Sequence, residues 1–370
     1  MFQIKEPYKV LIVDDSAVVR GFTTKILESD PEIKVVSAAA NGEDGVKKCQ
    51  RFMPEVVILD IEMPVMDGLE AIPELLKINP KVKIVMSSTL TLHNAEVSLK
   101  ALDLGAIDYI SKPTSMVKDK TVTSEFSHIL IEKVKQYGAM YRGIEKEKFR
   151  SDFQSVRQSP SFSKVASISK QVTTPTKIIP HAIAIGSSTG GPPALLKLLA
   201  DILPEVTLPI FITQHMPPAF TEILARNISK NVGCECHEGR DGEEVLKKHV
   251  YIAPGDYHMR IVSSGTRKII RLNQSEPENF CRPAVDPMFR SLNTAYNGLV
   301  LGVILTGMGQ DGLFGSADLV KGGGRLIAQD EDSSVVWGMP GAVANANLCE
   351  SVLPIDDMGN YIKRIVKGIL

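Results

Sequence analysis

At 370 residues the chain is too long for one ordinary domain, and two are expected. With 44% hydrophobic and 23% charged residues it reads as a soluble globular protein. A net charge of −1 speaks against bulk binding to nucleic acid. The five cysteines, an odd number, are scattered, so free thiols in a reducing compartment are expected rather than a disulfide framework. The start, "MFQIKEPYKV", has no apolar leader. The most apolar run, "GLVLGVILTGM", is far short of the roughly 20 residues that cross a bilayer. A cytoplasmic protein without membrane insertion is expected.

The first part alternates strand and helix signals. "YKVLIVDD" is a buried strand ending in two acids, and "SAVVRGFTTKILES" a helix with Ser16 as its cap. "KVVSAAA" and "GEDGVKKCQRF" repeat the pair. "PEVVILD" is a third strand, again ending in an acid. "GLEAIPELLKIN" is a helix interrupted by Pro73. "VKIVMSS", "AEVSLKALDLG", "AIDYISKP" and "SEFSHILIEKVKQYG" complete the series. Such alternation predicts a parallel sheet with helices on both faces.

From Arg142 to about Ile178 the apolar period stops, in a stretch rich in Ser, Lys, Arg, Gln and Thr. It reads as a flexible linker whose reach is roughly 30–35 Å, enough for two domains to dock or separate. Alternation then resumes with "HAIAIGSS", "PPALLKLLADIL", "LPIFITQH" and "AFTEILARNISKN". Shorter β-like pieces follow: "CECHEG", "HVYIAPG", "YHMRIVS" and "KIIRLN". "DPMFRSLNTAYNG" reads as a helix capped by Asp286, and "LVLGVILTG", "LFGSADLVKGG" and "GRLIAQD" as strand, helix and strand. The boundaries expected are 1–141, 142–178 and 179–370.

In a parallel α/β sheet the ligand crevice lies outside the carboxyl ends of the strands. Asp14 and Asp15 follow the first strand and Asp60 ends the third. Clustered like charges there are costly unless a cation joins them, and oxygen-only ligands suit Mg²⁺. Ser88 ends the fourth strand, with Ser87 as the alternative if the register shifts by one, and Lys112 ends the fifth. Carboxylates, a metal, a hydroxyl and a lysine together suit a phosphoryl group carried on one of the acids.

"LIVDDS", "VVILDIEMPVMDG", "IVMSS" and "DYISKP" resemble the receiver domain of two-component response regulators, over about residues 7 to 125. The resemblance implies that Asp60 takes a phosphoryl group from a histidine kinase. It implies that Asp15, Asp60 and the backbone carbonyl of Glu62 hold Mg²⁺ while Asp14 assists. Ser88 would bond the phosphoryl oxygen, Lys112 would pair with it, and Tyr109 would be the responding aromatic.

In the second part, "GSSTGG" satisfies G-x-S-x-G with Ser188 at its centre. Pro192 and Pro193 are tolerated in a first helical turn, so Ser188 sits at a helix start, where N–H groups favour an oxyanion. The same features suit a bound phosphate, although no P-loop lysine follows. A serine nucleophile needs a base, and the base an orienting acid. His215 ends the strand "LPIFITQH" on the same sheet edge, with His258 as rival. Asp311 follows "LVLGVILTG", with Asp256 and Asp286 as competing acids. The order Ser, His, Asp differs from that of α/β-hydrolases, so another sheet topology is expected.

"AIGSSTGGPPAL", "FITQHMPPAFT", "YIAPGDYHM", "CRPAVDPMFRSL" and "VILTGMGQDG" resemble the CheB family, the chemotaxis protein-glutamate methylesterases. With the receiver, the resemblance covers nearly the whole chain. The fold it implies is two doubly wound parallel-sheet α/β domains, a flavodoxin-like receiver and an α/β/α methylesterase domain. The nucleophile falls on Ser188, the base on His215 and the acid on Asp311, with Thr189, Gly190 and Gly191 around the oxyanion. The implied activity is hydrolysis of glutamate methyl esters, and deamidation of glutamines, on methyl-accepting chemoreceptors under phosphorylation control, with no cofactor in the catalytic domain. Two other readings stay open: an anion-binding output domain, and a receptor-binding adaptor without turnover.

Overall fold

The computed structural model describes residues 6–89, 91–112, 120–144 and 178–370. Most of the expected linker, 142–178, lies outside them. The chain divides into two compact units, Met1–Asp152 and Phe153–Leu370.

The first unit has five parallel strands: β1 (Tyr8–Val13), β2 (Ile33–Ala39), β3 (Val56–Asp60), β4 (Lys83–Ser88) and β5 (Asp108–Ser111). Their spatial order is β2-β1-β3-β4-β5. Central strands read as unbroken apolar runs because helices cover both faces: Val10 to Val13, Val56 to Leu59 and Ile84 to Met86 are all buried. Order reverses between β1 and β3, which opens a crevice at their carboxyl ends.

Helices α1 (Ala17–Leu27), α2 (Gly42–Phe52), α3 (Gly68–Ile78) and α4 (Leu92–Asp103) begin on side-chain caps at Ser16, Asn41, Asp67 and Thr91. Pro73 leaves α3 continuous, since a capping box between Asp67 and Glu70 and a buried face of Ala71, Ile72 and Leu75 outweigh one lost bond. The last helix of the unit, α5 (Lys120–Arg142), runs further than the apolar pattern indicated. Its end is held by Arg142, which forks onto Glu55 at 2.6 and 2.9 Å and stacks over the Tyr8 ring.

The second unit has a seven-stranded, wholly parallel sheet. Its strands are β6 (Ala182–Ser187), β7 (Ile210–Gln214), β8 (Glu235–Glu238), β9 (His249–Ile252), β12 (Val300–Ile304), β13 (Arg325–Gln329) and β14 (Ser351–Leu353). The spatial order is β14-β13-β12-β6-β7-β9-β8. β10 (His258–Ser264) and β11 (Arg267–Asn273) form a separate antiparallel hairpin. The mixed middle of the sequence thus splits, two strands joining the main sheet and two leaving it.

The helices are α6 (Gly191–Ile202), α7 (Phe220–Val232), α8 (Val285–Ala295), α9 (Leu313–Lys321), α10 (Met339–Asn345) and α11 (Ile355–Val366). The sequence pattern had not shown α10, β14 or α11. The first is short and carries Pro340 and Gly341, and β14 has three residues, too few for a period to register. α11 buries Met358, Ile362 and Ile365 on one face, while Lys363 reaches Asp201 of α6 at 2.7 Å. No helix among the described residues is long and apolar enough to cross a membrane.

Arg325 of β13 forms a buried fork with Glu350, both contacts at 2.8 Å, and also donates to the Leu370 carbonyl. Removing one partner of such a pair strands the other charge, at about 3–5 kcal/mol. Arg325→Met is therefore expected to lower the urea midpoint of the second unit's unfolding by a corresponding amount, and Glu350→Gln with it to recover part of the loss.

Candidate active site

Between β6 and α6 three residues make the corner: Ser188, Thr189 and Gly190. Gly190 has φ of 75°, the left-handed region, and a Cβ there would lie 2.5 Å from the Cβ of Val335. A Cβ on Gly191 would fall 2.0 Å from Oε1 of Gln214. That space is needed because the Gln214 amide braces the corner. Oε1 accepts from Ser187 Oγ at 2.7 Å and Nε2 donates to the Ser188 carbonyl at 2.8 Å. Gly191 N also donates to the Ser188 carbonyl, and Ser188 N donates to the Thr306 carbonyl beyond β12. The backbone of Ser188 is thereby fixed, while its hydroxyl makes no hydrogen bond to a described residue.

Of the three residues expected around an oxyanion, Gly191 is corrected by this geometry, since its N–H is spent on Ser188. The Gly190 N–H has no partner among the described residues. Thr189 is buried, its carbonyl held by Thr306 Oγ1 at 2.9 Å.

Ser187 pairs with Gln214 in the β6–β7 ladder, and His215 N donates to the Ser187 carbonyl at 3.1 Å. Ser188 and His215 therefore leave neighbouring parallel strands at the same level. Asp311 lies in the loop after β12, the neighbour of β6 on its other side. The order reverses here too, so the three residues border a switch-point crevice. His215 Nε2 meets Asp311 Oδ2 at 2.7 Å.

Asp311 is buried, and four further donors converge on it. Val285 N reaches Oδ2 at 2.6 Å, while Asp286 N, Gly312 N and Asn279 Nδ2 reach Oδ1 at 3.2, 2.9 and 3.0 Å. Burial pushes this carboxyl up, but the His215 contact and the amides at the start of α8 outweigh it and hold it below the usual range. For His215, burial pushes downward, and its contacts with Cys281 and Asp311 outweigh it and raise it above the usual imidazole range.

Asp286 does not cap its own helix. The Asp311 carboxylate occupies the start of α8 instead, and Asp286 Oδ1 accepts from Gly315 N at 2.5 Å in the first turn of α9. Each acid thus serves the other's helix. Burial, then the charge of Asp311, pushes Asp286 up to about 7. Asn279 bridges the two carboxylates, reaching Asp286 Oδ2 at 3.1 Å. Asn279 and Phe280 are the centre of a tight turn closed by paired backbone bonds between Glu278 and Cys281, and have φ of 53° and 61°. Positive φ at both centres is the type I′ pattern, easy for Asn and strained for Phe. The turn also carries Cys281, whose Sγ lies 3.4 Å from His215 Nδ1.

Neither Asn279 nor Cys281 stood out in the sequence, where the cysteine read as an ordinary thiol and the motif "CRPAVDPMFRSL" carried no role for either. His258 is fully buried between the Glu276 carbonyl and the Ala284 N–H, so both ring nitrogens are structurally engaged. Asp256 is paired with Arg282 at 2.6 Å.

In the first unit Asp14, Asp15 and Asp60 converge, with one oxygen from each within 4.8 Å of the others. Lys112 Nζ bridges Asp14 at 2.8 Å and Asp60 at 2.7 Å, and Ile61 N donates to Asp60 at 2.8 Å. Asp15 is exposed, and Glu62 borders the same cleft. Tyr109 is buried on β5, which pushes its phenol well above the usual value.

The register decides between the two serines. Asp60 pairs with Ser87, so these side chains leave one face, whereas Ser88 turns to the other and lies 3.3 Å from Ser98 of α4. Ser88 is corrected in favour of Ser87.

Residues 183–362 match the family model described as CheB methylesterase, and residues 10–120 that of the response regulator receiver domain. A protein-glutamate methylesterase/protein-glutamine glutaminase of Azospirillum brasilense is 49% identical over 372 residues, covering 97% of this chain and 93% of its own. The chain belongs to the CheB family. A second member, protein-glutamate methylesterase/protein-glutamine glutaminase 1 of Rhodospirillum rubrum, is 48% identical, covering 97% of this chain and 95% of its own. The solved catalytic domain of Thermotoga maritima CheB methylesterase is 36% identical and matches 50% of this chain and 99% of that domain, with a TM-score of 0.49.

Burial, opposed by Lys112 and joined by the Asp14 charge, raises Asp60 from an ordinary 3.8 to about 6. A carboxyl raised on folding binds its proton more tightly in the native state, so its ionisation costs stability as pH rises from about 4 to 6. Asp60→Asn is expected to stabilise the first unit at pH 7.5 and to leave it near the parent at pH 4.5, read from urea midpoints at both values. An equal change at the two pH values is the opposing outcome.

Proposed function

We infer that the second unit of this CheB family member hydrolyses γ-methyl esters of glutamyl side chains on methyl-accepting chemoreceptors, and that phosphorylation of Asp60 activates it. The observation that carries the reading is the imidazole of His215. One nitrogen is fixed to a buried aspartate, and the ring stands at the level of an unengaged serine on the adjacent strand.

Nε2 is committed to Asp311, so Nδ1 is the nitrogen that takes the Ser188 proton as Oγ attacks the ester carbonyl. The oxyanion forms at the helix start, where the Gly190 N–H is unpaired and the α6 dipole is favourable. His215 then protonates the departing methanol, and it activates the water that releases the glutamate. Asp311 keeps the ring oriented and steadies the imidazolium. An amide in place of the ester follows the same steps and releases ammonia, which accounts for glutaminase in the relatives' names.

A histidine kinase supplies the phosphoryl group, and Lys112 and Ser87 meet its oxygens. The oxygen-only set around Asp14, Asp15 and Asp60 suits Mg²⁺. Asp15, Asp60 and the Glu62 carbonyl would hold the ion, which when bound screens carboxylate and phosphoryl charge. Such a partner set implies a cytoplasmic protein.

Ser188→Ala is expected to cut methanol release from a methylated receptor fragment by about 10⁴-fold or more. Near-normal turnover in that variant overturns the assignment. Acetyl phosphate with Mg²⁺ is expected to raise the rate of the full chain and to leave Asp60→Asn unchanged, and equal stimulation of both removes Asp60 from the control.

A further inference from the structure

The nitrogen of His215 that the esterase reaction needs already faces a second nucleophile. Nε2 belongs to Asp311, and Cys281 Sγ lies 3.4 Å from Nδ1. Sulfur, imidazole and carboxylate form a continuous Cys-His-Asp chain, the arrangement that converts a thiol into a reactive thiolate beside an imidazolium. The type I′ turn holds the thiol there: Glu278 and Cys281 are paired by backbone bonds, Arg290 grips Glu278 at 2.5 and 2.7 Å, and Asn279 anchors the turn to both acids.

Cys281 is only half-buried, next to the exposed Phe280. Cys49 and Cys236 are buried, and among the described residues only Cys281 has its sulfur within hydrogen-bond reach of an imidazole nitrogen. The acid facing the ring is Asp311, bonded to Nε2, which steadies the imidazolium formed when Nδ1 takes a proton.

We propose that Cys281 is a covalent modification site for hydrogen peroxide and other soft electrophiles, with His215 as the proton acceptor that activates it. The thiol proton passes to Nδ1, and the thiolate sulfur attacks a peroxide oxygen. An S–O bond forms as the O–O bond breaks, and the departing hydroxide takes the proton from the imidazolium and leaves as water. The sulfur is oxidised to a sulfenic acid and the peroxide is reduced. The product stands against Nδ1 and denies it to Ser188, so ester hydrolysis stops. A thiol reductant reverses the block by displacing water to give a mixed disulfide, which a second thiol then resolves to free Cys281.

The inference rests on the reading of His215 as the base, but its chemistry is measured separately. The full-length protein is treated with peroxide and a sulfenic-acid-trapping diketone, and adducts are located by peptide mass spectrometry while methanol release is followed in parallel. The expected result is an adduct on Cys281, loss of turnover, and recovery with dithiothreitol in samples oxidised without the trap. Cys281→Ala, scored against its own untreated rate, is expected to keep its turnover through the same exposure. Adducts confined to other cysteines, or equal inactivation of that variant, overturn the proposal.

Iodoacetamide supplies a second measure that needs no variant. At pH 7 Cys281 is expected to be alkylated faster than Cys234 and Cys349, because only its sulfur faces an imidazole nitrogen. His215→Gln is expected to remove that advantage. Labelling of Cys281 no faster than that of the other half-buried thiols in the parent protein sinks the idea. Activity surviving in Ser188→Ala would instead defeat the esterase assignment and leave these labelling results standing.

Discussion

Asp311 is buried and accepts hydrogen bonds from His215, Val285, Asp286, Gly312 and Asn279. These donors come from the end of β7, the start of α8, the turn before it and the loop that carries Asp311. A buried carboxylate is tolerable only when such donors surround it, and each donor is in turn positioned by it. The arrangement fixes the imidazole plane, closes the first turn of α8 and orients the 278–281 turn in one stroke. A substitution at any donor would act on all three.

The two units answer the same electrostatic problem in different ways. Each gathers acids at a switch point between strands, where the sheet geometry opens a crevice. In the first unit a single side chain on a long stem, Lys112, neutralises Asp14 and Asp60, and Asp15 stays exposed. A lysine can rearrange when a cation and a phosphoryl group arrive, so that site is built for exchange. In the second unit the compensation comes from backbone N–H groups, two helix starts and an amide held in a strained turn. None of these can leave. That site suits a reaction whose acid must stay where it is through every turnover.

Legibility in the sequence followed length scale. Buried strands such as "VVILD" and capped helices such as "GEDGVKKCQRF" carry their signals locally, and both lie where their patterns indicated. Ser188, His215 and Asp311 were visible because each follows a strand, and strand ends are where parallel sheets put their chemistry. What stayed hidden depends on contacts between segments. The swapped capping of Asp286 and Asp311 cannot be read from either local sequence, since each looks like the cap of its own helix. Gly191 reads as available to an oxyanion, but its N–H is bonded to the Ser188 carbonyl, a contact within the corner itself. Ser87 and Ser88 differ by one residue, and only the pairing with Asp60 separates their faces. Asn279 and Cys281 sit in a turn whose meaning lies in what it approaches.

The two ring nitrogens have different partners. His215 stands on β7, the proposed nucleophile on the adjacent β6, and Asp311 one strand further, beyond β12. Asp311 does not end its strand; it lies well beyond β12, in a loop that returns to the His215 ring. It meets the far end of the imidazole, Nε2, at 2.7 Å. Nδ1, next to the ring's attachment to the chain, is left to other partners. In the familiar Ser-His-Asp template the acid holds Nδ1 and the serine faces Nε2. Here the acid holds Nε2 instead, which leaves Nδ1 close to the chain, where the 278–281 turn reaches it. On the proposed reading, the thiol of that turn and the hydroxyl of Ser188 compete for one ring nitrogen, so a cysteine from a distant part of the sequence shares the base with the proposed nucleophile.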